Sequence, residues 1–258
     1  MSVSPERSIA GKVALVTGAA NGMGAATATL MAREGASVAV IDRDAAGIAG
    51  VVDAIVAAGG TARGWTLDLA DHAAIAGVVT QAAEHFGALD IVVNNAGIAA
   101  MGVGIEDDGY DAMWDKIVAI NLTAHQRVVR AALPWLRRSD SARIVNISST
   151  EGLGASPRDT HYAASKAGVI GLTRALAVDL GKEQITVNAI CPGPIHTPMT
   201  SFVDDGDKAA FARVRTALRR YGRPEEVAHM TLSLCLPAAS YVTGAIIPVD
   251  GGLTARNG

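Results

Sequence analysis

"KVALVTGAANGMGAATATLMAREGASVAVID", residues 12–42, changes its periodicity twice. It begins as a continuous apolar run, "KVALVTG" (12–18), crosses three glycines into an Ala-rich stretch, and closes on a second apolar run, "ASVAVID" (36–42). A strand buried on both faces loses the polar–apolar alternation of a half-exposed one, so both runs predict strands of a parallel sheet. Between them, roughly 22–34 has the length of a helix. Strand, helix, strand in this order predicts a right-handed crossover.

The unit recurs along the chain. "LDIVVNN" (89–95), "ARIVNIS" (142–148), "ITVNAIC" (185–191) and "GAIIPVD" (244–250) repeat the buried-strand pattern, and "TARGWTLD" (61–68) is a weaker seventh candidate. Helix-length stretches fall at roughly 44–58, 71–87, 109–138, 160–181 and 224–236. Such alternation predicts an α/β fold: one doubly wound domain over 1–258, its mostly parallel seven-stranded sheet flanked by helices. No linker or repeat divides it. The stretch "MTSFVDDGDKAAFARVRTALRRYGRP" (199–224) breaks the rhythm; a connection this long predicts a lid or binding loop at about 198–224. Its cluster Arg213, Arg215, Arg219, Arg220 and Arg223 is expected to be a solvated face, compensated by Asp204, Asp205 and Asp207.

Half of the 258 residues are hydrophobic and 18% are charged, which predicts a sizeable core. A net charge of −3 supplies no basic field for nucleic acid or an anionic membrane. Cys191 and Cys235 lack CxxC spacing, and the six histidines form no HxxxH or HExxH, so neither a disulfide nor a metal site is expected. The stretch "MSVSPERSIAG" lacks the apolar run of a signal peptide, and nothing approaches the length of a membrane span. A cytoplasmic protein is the expectation.

The turn "TGAANGMG" (17–24) joins the first strand to the first helix. Gly18, Gly22 and Gly24 allow a tight turn and close approach of a phosphate to bare backbone, at a helix start whose free N–H groups and dipole favour anions. Asp42 ends the second strand, 18 residues past Gly24, where a carboxylate reaches the hydroxyls of an adenosine ribose. The same charge repels a 2′-phosphate, which favours NAD over NADP. Arg43 is the counter-signal, since a basic residue accommodates that phosphate.

In "HYAASKAGVIGLTRAL" (161–176), Tyr162 and Lys166 lie one turn apart on one helix face. A phenol titrates near 10; a cation within about 4–6 Å favours the phenolate and brings it toward the range that general acid–base catalysis uses. Ser149, in "NISS" (146–149), lies 13 residues before Tyr162. "NNAG" (94–97) ends another strand at the same sheet edge, and Asn121, in "AINLTA", is a mediocre helix former inside a long helix. Ligands of open α/β sheets bind beyond the carboxyl ends of the strands.

With these motifs in this order, from "TGAANGMG" to "YVTGAIIPVDGG" (241–252), the chain resembles the short-chain dehydrogenase/reductase family over essentially its whole length. The resemblance implies a Rossmann fold and NAD-dependent interconversion of a secondary alcohol and a ketone. It makes Tyr162 the acid/base, Ser149 the group that polarises the substrate oxygen, and Lys166 the holder of the nicotinamide ribose that depresses the Tyr162 pKa. Asn121 would anchor a water leading from Lys166 to solvent, Thr197 would meet the carboxamide, and Asp68 the adenine. Asn95 would be partly structural. Asn21, Met23, Leu69, Ala96, Gly97, Pro192, Gly193 and Ile195 complete the implied dinucleotide contacts. Ile98, Leu153, Met199 and Phe202 would give the substrate end an apolar cast, suited to a medium-sized hydrophobic or cyclic substrate. Glu151 would hold a second substrate hydroxyl if it faced the pocket; facing solvent is the expectation. His161, just before Tyr162, and His196, in the loop after Gly193, could each touch substrate or stand in an exposed loop. The resemblance also implies a homotetramer or homodimer. The rival reading is an NADPH-dependent 3-oxoacyl-carrier-protein-type ketoreductase, which shares every motif and differs in cofactor preference.

Overall fold

In the computed structural model, which describes residues 5–100 and 102–256, all seven predicted strands form. Residues 1–4 of the polar N-terminal stretch lie outside the described residues. In chain order the elements are β1 (Val13–Thr17), α1 (Gly22–Arg33), β2 (Ser37–Asp42), α2 (Ala45–Ala57), β3 (Thr61–Thr66), α3 (Ala74–Phe86), β4 (Ile91–Asn94), α4 (Tyr110–Val118) and α5 (Ala124–Leu136). They continue with β5 (Arg143–Ile147), α6 (Thr160–Leu180), β6 (Thr186–Pro192), α7 (Asp205–Arg215), α8 (Pro224–Cys235) and β7 (Ile246–Val249). The sheet runs β3-β2-β1-β4-β5-β6-β7, and every pairing is parallel rather than mostly so.

The inner strands are mostly apolar because they feed two cores. Side chains alternate across a strand: Val13 and Leu15 pack with α3, α5 and α6 on one face, whereas Ala14 and Val16 pack with α1, α2 and α8 on the other. The edge strand β3 buries little of either face, which explains its weaker pattern. The chain winds outward from β1 to β3, then crosses back to place β4 against the other side of β1. That reversal opens a crevice between the carboxyl ends of β1 and β4.

Two expectations need correction. The helix expected over 109–138 is two helices, α4 and α5, joined by a π-helical turn at Ala119–Thr123. β3 stops at Thr66, short of Leu67 and Asp68. The unusual segment 199–224 holds α7, and its far end is tied back by a bridge between Ile195 and Gly222. No helix among the described residues is long and apolar enough to cross a membrane.

Candidate active site

β1 and the end of β4 are joined by a small set of backbone contacts. Thr17 Oγ1 accepts the N–H groups of Asn95 and Ala96, both at 3.1 Å, while Asn95 Nδ2 donates to Thr17 O at 2.9 Å and Gly18 O at 3.0 Å. Gly18 takes φ +63°, and a Cβ there would stand 2.7 Å from Ala96 Cα, so only glycine lets the two loops approach this closely. Asn21, the residue before α1, makes no side-chain capping bond, which leaves the first N–H groups of that helix to face an incoming anion.

These loops border a cleft of about 210 Å³. Of the residues the sequence nominated for a dinucleotide, Gly18, Asn21, Gly22, Met23, Asp42, Arg43, Asp68, Leu69, Asn95, Ala96, Gly97 and Thr197 line it, together with Ile98 and Met199. Gly24, Tyr162, Lys166, Pro192, Gly193 and Ile195 do not. Gly24 is buried under Gly18 O and Asn95, Gly193 packs on Asp250, and Pro192 and Ile195 are buried. Ile41, Leu67 and Ile120 also line the cleft without having been singled out, because apolar residues at a strand end or inside a helix read as core. Asp42 is held by two backbone donors, Ala20 N to Oδ2 and Asp44 N to Oδ1, each at 3.1 Å. Arg43 beside it is exposed.

Beyond Gly97 the cleft meets the polar group that sequence order suggested. Asn121 is fully buried in the π-turn: its Nδ2 donates to Ile98 O at 2.9 Å and to Ser165 Oγ at 3.2 Å, and its Oδ1 accepts Ile98 N at 2.8 Å. The wider turn, where a π-bulge often marks a functional position, explains why this amide tolerates the helix. Lys166 Nζ donates to Ile147 O at 2.9 Å and lies 5.6 Å from the centre of the Tyr162 ring. Ser149 Oγ accepts Glu151 N at 3.1 Å.

The electrostatics reverse one expectation. Burial pushes the Tyr162 phenol up to about 12; the Ser149 hydroxyl pulls it down, and the Asp159 and Glu151 carboxylates push it further up. Lys166 does not offset this, since its own burial brings it down to about 8 and its ammonium is turned to a backbone carbonyl. The helix spacing shows the neighbour but not the desolvation. His161 is fully buried rather than in an exposed loop, whereas His196 is exposed and packs on Tyr221. Glu151 accepts Ser156 N at 2.6 Å and Ser156 Oγ at 2.9 Å, closing its own loop. Leu153, Met199 and Phe202 stand exposed. Arg220 pairs with Glu226, with contacts of 2.6 and 2.8 Å, which neutralises one end of the basic cluster.

Comparison with known proteins agrees with this arrangement. A family model described as enoyl-(acyl carrier protein) reductase matches residues 18–254. The chain is 39% identical to the 3-oxoacyl-(acyl-carrier-protein) reductase FabG of Thermotoga maritima, over 94% of this chain and 98% of that one. It is 41% identical to the cis-4-hydroxycyclohexanecarboxylate dehydrogenase of Sinomonas cyclohexanicum, over 95% of this chain and 97% of that one. The carveol dehydrogenase of Mycobacterium avium, solved in complex with NAD, superposes with a TM-score of 0.92 at 30% identity, covering 96% of this chain and 99% of that one. The chain belongs to the short-chain dehydrogenase/reductase family and is an oxidoreductase acting on CH–OH groups.

Proposed function

We propose that this protein is an NAD-preferring dehydrogenase that interconverts a medium-sized hydrophobic or cyclic secondary alcohol and its ketone. The position of Asp42 carries the cofactor preference. Its carboxylate lines the cleft with two lone pairs committed to Ala20 and Asp44 N–H groups and the others free to accept from a ribose diol. A 2′-phosphate at that point would face a fixed negative charge. The cleft suits a dinucleotide, because Gly18, Gly22 and Gly97 line it with bare backbone and the uncapped start of α1 faces it. Gly18, Asn21, Gly22 and Met23 would hold the phosphates, Asp68 and Leu69 the adenine end, and Thr197 with the NNAG backbone the nicotinamide end. When bound, the nicotinamide would supply the hydride acceptor or donor and, in its oxidised form, a positive charge that favours the phenolate.

The chain's own groups manage the proton and the substrate. Ser149 and Tyr162 hold the substrate oxygen; Tyr162 takes the hydroxyl proton in oxidation and returns it in reduction. Lys166 holds the ribose, and Asn121 fixes Ile98 against it. Ile98, Leu153, Met199 and Phe202 would cover an apolar substrate when the 198–224 segment closes as a lid. We further propose a homotetrameric or homodimeric cytoplasmic enzyme, a compartment that suits its two free buried cysteines.

Fluorescence titration with NADH and NADPH, followed by turnover of a panel of cyclic and aromatic alcohols at 340 nm, tests this reading. A preference for NAD(H) of about tenfold, equivalent to roughly 1.4 kcal/mol, supports it. A preference for NADPH would transfer the assignment to the carrier-protein ketoreductase class, with Arg43 rather than Asp42 deciding.

A further inference from the structure

The segment that follows β4 is fastened to the start of α6 at three points. Tyr110 Oη lies 2.7 Å from Thr160 Oγ1. The Tyr110 ring stacks on His161, with centroids 5.7 Å apart and planes inclined by 14°. Arg158 donates from Nε to Gly102 O at 2.9 Å and pairs with the Asp107 carboxylate, which also accepts Gly104 N at 2.9 Å. A Cβ on Gly104 would meet Arg158 Nη1 at 2.9 Å, so the guanidinium lies flat against that backbone. Arg158 takes φ +59°, a left-handed conformation uncommon for a residue with a Cβ and here accompanied by its side-chain contacts.

His161 passes this anchorage to the next residue. Its Nδ1 accepts the backbone N–H of Tyr162 at 2.8 Å. That N–H is among the first of α6, which have no carbonyl partner within the helix, and Asp159 at the cap position supplies no side-chain bond. The bond requires a neutral imidazole with its hydrogen on Nε2. Burial of His161 against the Tyr110 ring holds it neutral.

We propose that Tyr110 and His161, steadied by the Arg158 clamp, are positioning residues for Tyr162. They stop the first turn of α6 from fraying and so fix the phenol relative to Ser149. First turns are where helices open most easily, and a displacement of about 1 Å at a reacting group costs up to roughly a hundredfold in rate. The inference rests on the acid/base assignment of Tyr162 made above.

The test combines kinetics with amide hydrogen exchange, which needs no substrate. Tyr110→Leu should speed exchange over residues 160–166 and lower kcat roughly tenfold or more, on the alcohol that the unaltered protein oxidises fastest, with KM and the NADH dissociation constant within about twofold. Tyr110→Phe keeps the stacked ring and should restore most of the rate. Arg158→Gly suits the left-handed backbone while deleting the clamp, so it should fold and show the same loss; it decides alone if Tyr110→Leu does not fold. Unchanged exchange in both Tyr110→Leu and Arg158→Gly overturns the clamp, as does equal impairment of Tyr110→Phe and Tyr110→Leu. Tyr162→Phe separates the two levels. If it retains full turnover, the acid/base assignment falls; if it is inactive while the clamp variants run at the original rate, only the clamp falls.

Discussion

Gly97 stands between Lys166 and Asn121: a Cβ on it would lie 3.3 Å from Lys166 Nζ and 3.4 Å from Asn121 Oδ1. Those two side chains can share one point only because the residue between them has no side chain. Asn121 is held by three hydrogen bonds, so a methyl at residue 97 displaces the ammonium by a few tenths of an ångström and strains its bond to Ile147 O. Gly97→Ala is expected to leave the chain folded and to lower kcat by roughly tenfold to a hundredfold, through misplacement of a group that positions the reactants. Steady-state kinetics beside a thermal melt checks it. An unchanged kcat would show that Lys166 does not need this position.

Glycines in the first two crossovers differ in what surrounds them. A Cβ on Gly24 would stand 2.0 Å from Gly18 O and 2.5 Å from Asn95 Nδ2, and neither can retreat without breaking the join between β1 and β4. Gly24→Ala should therefore cost more than about 4 kcal/mol or abolish folding. Gly50 in α2 is exposed and has nothing within reach of its added Cβ. Gly50→Ala should stabilise by about 0.5–1 kcal/mol through helix propensity. Urea denaturation of the pair reads both, and similar effects from the two would contradict the packing described.

Asn121 reads both polar groups of the Ile98 backbone, so its removal leaves a half-buried N–H and a half-buried carbonyl without their side-chain partner. Asn121→Ala is expected to destabilise by roughly 2–4 kcal/mol. Urea denaturation measures it, and a loss under about 1 kcal/mol would mean that water enters the space and replaces the amide.

Much of this was legible beforehand, for identifiable reasons. Strands β1, β2, β4, β5 and β6 were visible because burial on both faces removes alternation, leaving unbroken runs such as Ile91–Asn94. The grouping of Gly18, Asp42, Asn95 and Gly97 followed from their all lying at strand ends on one edge of a parallel sheet. What stayed hidden depends on distances the chain order does not carry. The apolar period runs on through 119–123, so a π-turn there leaves the amide of Asn121 as its main trace. Tyr162 and Lys166 are one turn apart in any helix, but the burial that raises one and lowers the other comes from the packing of residues far along the chain. His161 gave no sign of burial because its cover, Tyr110, is supplied by a different element.

Asp159 carries the clearest pH signature near the site. It is 7% exposed, its Oδ1 has no hydrogen-bond partner, and the nearest imidazole nitrogen, His161 Nδ1 at 3.6 Å, already accepts from Tyr162 N and has no hydrogen to give. Burial and the Glu151 carboxylate raise it from 3.8 to about 6. The folded chain thus binds this proton more tightly than the unfolded chain. Its contribution to stability is full below the unfolded pKa and is lost as pH rises through the folded one, leaving a net cost at neutrality. His125 opposes this in part of the same range: burial lowers it from 6.5 to about 3, so its effect on stability rises with pH. The two are separated by comparing the unaltered chain with Asp159→Asn across pH 4 to 7. The variant should be more stable at pH 7 by on the order of 1–3 kcal/mol, with the difference vanishing toward pH 4. Because Asp159 also raises the Tyr162 phenol, the same variant should move the acid limb of kcat/KM to lower pH. A stability difference that stays constant over the range would mean that Asp159 titrates alike in the folded and unfolded chain, and that its burial is relieved by a donor such as an ordered water.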